Sequence, residues 1–210
     1  INDIVPIANH LTEAGVVAVK ADSPYKTIEE LVAAAKEKGN LKASTNGNKA
    51  SNHTAAQLLA KSAGFKYKAI PYGGTADQLL ALRQGEVDFT CAKVADVAKL
   101  VKGDKPELRV LAVFNTKRDP ELPNVPTLGE KGLYPEWYGS ARALVAPKGT
   151  KPEVIQYYVE AFKKTMQNPA VIEAHKKAGM ALDFKDNKEL GDLIKAQDKF
   201  ARDVVNDLYK

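Results

Sequence analysis

Between residues 16 and 114 the chain repeats one step four times: a short apolar run, a turn of small and polar residues, then apolar residues at helical spacing. Such alternation builds an α/β sheet that is mostly parallel, because each strand-helix-strand step brings the chain back to the same edge. The expected strands lie at 16–20, 41–45, 67–71, 87–92 and 108–114. Thr27-Ile28-Glu29-Glu30 has the spacing of a capping box, and Ile28, Leu31, Val32 and Ala35 then recur on one helical face until Gly39 stops it. A second helix runs from Ser51 with Ala55, Leu58 and Leu59 inward and Gly64 past its end. A third carries Leu79, Leu80 and Leu82 and ends at Gly85, and a fourth covers 94–101.

From Thr116 to Gly132 the composition shifts toward proline and charge, as expected of an ordered connector. Beyond it come a strand at 140–146 and long helices, one striped by Val154, Tyr158, Phe162 and Met166, another by Leu190, Leu193, Ile194, Ala201, Val204 and Leu208. With 44% hydrophobic and 27% charged residues the chain can bury a sizeable core. Its longest apolar stretches fall far short of the ~20 residues that cross a bilayer. The net charge of +5 is spread along the chain without a dense basic block, so no nucleic-acid partner is expected. The single cysteine, Cys91, excludes an internal disulfide or a Cys-based zinc cluster and reads as a core residue of its strand. No charged and apolar leader precedes Ile1, as in a mature chain or one whose start has been removed.

Two turns between strand and helix concentrate polar and small residues: Ser44-Thr45-Asn46-Gly47-Asn48-Lys49-Ala50-Ser51-Asn52-His53 and Tyr72-Gly73-Gly74-Thr75-Ala76. A helix start leaves backbone N–H groups unpaired and carries partial positive charge, so each turn can cradle an anion. Both lie at the carboxyl ends of expected strands, where open α/β sheets collect ligands. The plainer alternative makes Ser51 and Thr75 ordinary caps, with Gly47, Gly73 and Gly74 only letting the chain turn. Neither turn carries a nucleotide-binding glycine pattern, and no cofactor is expected. His10, His53 and His175 lie far apart and form no metal-ligand spacing, and no Gly-x-Ser-x-Gly elbow occurs. An acid and base pair of Asp88 and His53 is the one enzymatic alternative, but Asp88 reads better as a turn residue. No metal site and no catalytic residue is expected. Trp137 reads as core or interface, with a ligand wall as the lesser option.

At these residues the chain resembles the substrate-binding receptors of tripartite tricarboxylate transporters, the Bug or TctC family. Ser23-Pro24-Tyr25-Lys26-Thr27, the turn from Ser44 to His53, and Pro71-Tyr72-Gly73-Gly74-Thr75-Ala76 are similar to that family's motifs. Gly85-Glu86-Val87-Asp88, Leu111-Ala112-Val113, Val125-Pro126-Thr127, Trp137-Tyr138-Gly139 and Ala146-Pro147-Lys148-Gly149-Thr150 continue the series in order. The resemblance implies a type II periplasmic binding fold in which 16–115 form a complete second lobe, while 1–15 and 116–210 supply crossovers and part of the first. It further implies a periplasmic, monomeric receptor, not an enzyme, that captures a small di- or tricarboxylate and passes it to integral-membrane transporter subunits. The implied ligand residues are Ser44, Thr45, Asn46, Ser51, Asn52 and His53 in one turn and Tyr72, Gly73, Gly74 and Thr75 in the other. Asn48 and Asp77-Gln78 depart from the family pattern, and the chain matches from about a third of the way along the family's length. The rival reading is the ligand-sensing domain of a cytoplasmic regulator, which also uses this fold.

Overall fold

The computed structural model describes residues 1–180 and 182–209. The chain forms two compact units, one of Ile1–Glu13 with Ala141–Lys210, the other of Ala14–Ser140. The second unit runs on past residue 115, where composition shifts, because the connector is tied back to it: Val113 N–H donates to Pro126 O and Leu128 N–H to Val113 O.

In the Ala14–Ser140 unit the strands are the C-terminal part of β1 (Ile4–Lys20), then β2 (Lys42–Thr45), β3 (Lys68–Pro71), β4 (Phe89–Lys93) and β5 (Leu108–Phe114), in the order β3-β2-β4-β1-β5. β2 pairs parallel with β3 and β4, whereas β1 runs antiparallel to β4 and β5. Four of the five strands therefore point the same way, with β1 as the returning crossover. The helices are α1 (Ile28–Lys38), α2 (Ser51–Ala63), α3 (Thr75–Gln84) and the short α4 (Val94–Val97). Thr27 and Glu30 form the expected capping box on α1, and Gly39, Gly64 and Gly85 end α1, α2 and α3 in the left-handed conformation.

α4 is shorter than the expected 94–101. Past it, Leu100 and Val101 N–H groups both donate to Val97 O in a closing turn, and Leu100 O accepts from Glu107 and Leu108 N–H groups at the entry to β5. Val16 and Ala18 of β1 pack with Leu79, Leu82, Val94, Val97 and Val113 in one core cluster, against which Trp137 lies partly buried. Residues alternate across a strand, so Val17 and Val19, also fully buried, face the opposite side.

The unit of Ile1–Glu13 and Ala141–Lys210 holds the N-terminal half of β1, most of β6 (Gly139–Pro147), and helices α5 (Pro152–Met166), α6 (Pro169–Lys177) and α7 (Asn187–Phe200). β6 pairs with β1. Ile7, Ala8, Ala146, Ile155 and Val159 form a buried cluster in this unit, with Val5, Phe162 and Phe184 packed against them, and Leu11 and Leu190 are also buried. The stripe expected on α5 is displaced by one residue. Val154 and Tyr158 are 38% and 46% exposed, while Ile155 and Val159 face the core beside Phe162. Among the described residues no helix is long and apolar enough to cross a membrane.

Candidate functional site

Because β2, β3 and β4 run parallel, Thr45, Pro71 and Lys93 all end at one edge of the sheet, and α2, α3 and α4 start there. β1 arrives from the other direction, so Gly15 lies opposite Lys93 and Phe114 at this edge. Gly15 is required by close approach: a Cβ there would sit 3.1 Å from the Phe114 ring and 3.1 Å from Tyr138 O. Gly15 N–H donates to Tyr138 O, and Tyr138 OH donates to Ser51 O at the start of α2. Sheet, connector and helix start are thereby locked together.

Both polar turns stand on this edge, joined by the bond from Tyr72 N–H to Thr45 O. Their residues divide into two tiers. Ser44, Thr45, Asn52 and His53 are buried, whereas Asn46, Ser51, Tyr72, Gly74 and Thr75 are half-buried and Gly73 is exposed. Ser51 and Thr75 are not caps: the N-cap positions are Ala50 and Gly74, and Asn46 Oδ1 accepts from Asn52 N–H in their place. Their hydroxyls thus sit on the first helical residues. Gly74 is fully extended, with nothing within 4 Å of where a Cβ would stand, so its backbone faces open space.

The buried tier is a continuous hydrogen-bonded chain. Ser44 Oγ donates to Thr90 Oγ1 at 3.0 Å, and Gln78 Nε2 donates to Thr90 Oγ1 and to Cys91 O. Gln78 Oε1 accepts from Asn52 Nδ2 at 2.9 Å. Asn52 Oδ1 in turn accepts from Lys93 Nζ at 2.6 Å, and Lys93 Nζ also reaches Ser51 Oγ at 3.3 Å. Gln78, Thr90 and Lys93 are absent from the sequence-derived site. The signal was there for Lys93, the last residue of a strand that ends at the ligand edge.

Electrostatics separate the two helix starts. α2 has no acidic residue in its first turn and has the Lys93 side chain against Ser51 and Asn52. α3 carries Asp77 in its first turn, with its carboxylate facing Gly73, and Tyr72 OH is turned aside to Glu86. His53 Nδ1 accepts from Lys49 N–H, so the neutral ring carries its proton on Nε2, and burial lowers its pKa. The imidazole is therefore a neutral polar group at pH 7. Burial pushes the Cys91 thiol up to about 12, leaving it inert inside β4. Asp88 lies at the start of β4, accepting from Lys42 N–H at 2.7 Å. It stands at the opposite edge from His53, so the two form no acid and base pair. Among the described residues no three His, Cys, Asp or Glu side chains converge to hold a metal ion.

Helix starts gathered at the carboxyl edge of a mostly parallel sheet mark the place where open α/β folds collect ligands. The profile of the tripartite tricarboxylate transporter family receptor matches residues 1–208, and the chain belongs to that family. It is 37% identical over 163 residues to the "UPF0065 protein in gbd 5'region" of Cupriavidus necator, covering 77% of this chain and 49% of that protein. A TctC solute binding protein from Polaromonas superposes with a TM-score of 0.83 at 28% identity, over 98% of this chain and 70% of that one. R. palustris Rpa4515, in a structure with adipate, gives a TM-score of 0.83 over 95% and 68% of the two chains; at 21% identity it speaks to fold alone. The chain spans about half the length of the curated relatives it matches.

Proposed function

We propose that this chain is part of a periplasmic receptor that captures a small di- or tricarboxylate and delivers it to the membrane subunits of a tripartite tricarboxylate transporter. The observation that carries the reading is the start of α2, free of first-turn acids and backed by Lys93, at the carboxyl edge of β2 and β4. A carboxylate placed there meets oriented N–H groups and hydroxyls, and charge-assisted bonds of this kind are the stronger ones. The second turn, with Gly73, Gly74 and Thr75, supplies backbone that a ligand can approach closely.

The test is thermal unfolding of the full-length gene product with and without a panel of mono-, di- and tricarboxylates. A ligand at about 100 times its Kd stabilises by roughly 2.7 kcal/mol, a shift of several degrees for a domain of this size. No shift with any acid of the panel would overturn the reading.

A further inference from the structure

We propose that residues 141–145 of β6 are an interior stretch of a larger sheet, whose free edge and both faces are covered by a further strand and helix of the full-length polypeptide. The sequence of β6 is that of a strand buried on both sides: Ala141, Ala143, Leu144, Val145 and Ala146 come with a single charge among them, where a strand with one wet face alternates apolar and polar. That charge is tied down, since Arg142 Nε and Nη2 donate to Glu13 Oε2 at 3.0 and 2.8 Å and Glu13 is itself buried. The surroundings of β6 contradict its sequence. Residues 141–145 are all exposed, Leu144 and Val145 at 39% each, and successive residues point to opposite faces, so both faces are open. Among the described residues β1 is the strand that pairs with β6, and the other edge of β6 has no described partner. On one face Ala141, Ala143 and Val145 join Ile4 of β1 and Leu193 and Ile194 of α7 around a hollow of about 490 Å³. An apolar strand with an open edge is the surface that folded chains pair or cover. Length points to the occupant. The chain spans about half the length of its curated relatives, and only 70% of the Polaromonas protein has a counterpart in it. A second copy of this chain fits less well, because pairing β6 with β6 closes one edge and brings no helix onto Leu144 or Val145. This cover does not depend on the ligand reading, and the two can fail separately.

The experiment is thiol labelling of the ligand-free, full-length gene product in the variants Leu144→Cys, Val145→Cys and Leu80→Cys, with light scattering to give the mass in solution. Leu144 and Val145 report the two faces of β6, and Leu80, 44% exposed in the Ala14–Ser140 unit, is the reference. Cys91 adds little background, because burial pushes its thiol up to about 12. Both β6 thiols should label roughly tenfold or more slower than the reference in a monomeric protein, since the reagent must then wait for local opening. Labelling of either at the reference rate overturns the proposal. Slow labelling that is confined to a dimer and lost on dilution overturns it too, and makes a second copy the cover. Hydrogen exchange of the wild type gives a second reading that no substitution can disturb. The amides of residues 142–145 should all exchange slowly, whereas a strand bonded along one edge alone shows slow and fast amides in alternation, and that alternation would overturn the proposal.

Discussion

Gln78 departs from the turn pattern that the chain resembles, and the structure gives the reason the amide is tolerated in a fully buried position. Both its ends are satisfied, the NH2 by Thr90 and Cys91 O, the carbonyl by Asn52. Removing one member of such a network strands its partners, at about 1–3 kcal/mol per unsatisfied group. Gln78→Ala should therefore destabilise the Ala14–Ser140 unit by that amount in urea unfolding; an unchanged midpoint would mean that Asn52 finds another donor or acceptor. Gly15→Ala is expected to destabilise by a similar ~1–3 kcal/mol, since its methyl would meet Phe114 and Tyr138 O. Gly74→Val behaves differently. The position is extended and open, so the melting temperature should hold while carboxylate binding is lost; retained binding would place the ligand away from α3.

At the scale of elements, what the sequence made legible follows from where each apolar residue finds its partner. The strands and helices of residues 16–97 were readable because each buries a face made of its own apolar residues, and Thr27, Gly39, Gly64 and Gly85 mark the helix ends. β1 was readable only from Val16. Upstream, Asn9, Thr12 and Glu13 break the apolar alternation, and their partners lie more than 120 residues away: Asn9 Nδ2 donates to Asp183 O, Thr12 to Asp183, and Arg142 to Glu13. Long-range polar pairing of this sort leaves no local pattern. The same reason hid Gln78 and Thr90, whose roles depend on contacts between elements, while the two turns announced themselves through glycine and hydroxyl content.

His10 on β1 illustrates a consequence of that pairing. Its ring packs edge-on to His175 of α6 at 5.5 Å, and its pKa is lowered, first by burial, then by His175 and Arg142, with Glu13 opposing. A depressed histidine pKa means the folded state binds fewer protons than the unfolded chain below about 6.5. Stability present above that pH is thus lost as pH falls through the lowered folded value. Unfolding midpoints measured from pH 7 to 5 should decline, and His10→Gln should flatten the decline. At α7 the Asp186 capping box predicts a loss of about 1 kcal/mol for Asp186→Ala, readable as a lower helical signal at mild denaturant.

Over the whole molecule, apolar burial is unevenly divided. Every strongly exposed large hydrophobic residue among those described, except Leu80, belongs to the unit of Ile1–Glu13 and Ala141–Lys210, including Ile4, Leu144, Val145, Tyr157 and Tyr158. In that unit Ile7, Ala8, Ala146, Ile155 and Val159 form a buried apolar cluster, with Leu11 and Leu190 also buried, whereas the cluster on one face of the other unit's sheet alone contains Val16, Leu79, Leu82, Val87, Leu108 and Val113. Opening free energy tracks buried apolar contact, so the two units should not open together. Native-state hydrogen exchange is the direct measurement. Amides of β2, β4 and β5 should exchange slowest and share one high opening energy, while those of α5 and α6 exchange through a lower one. On the proposed binding mode, a saturating carboxylate should then slow the first-turn amides of α2 most. One common opening energy across β4 and α5 would show instead that the small cluster around Ile155 and Val159 is held as firmly as the sheet, and would shift the search for its stabilisation to the polar ties of Asn9, Thr12 and Glu13.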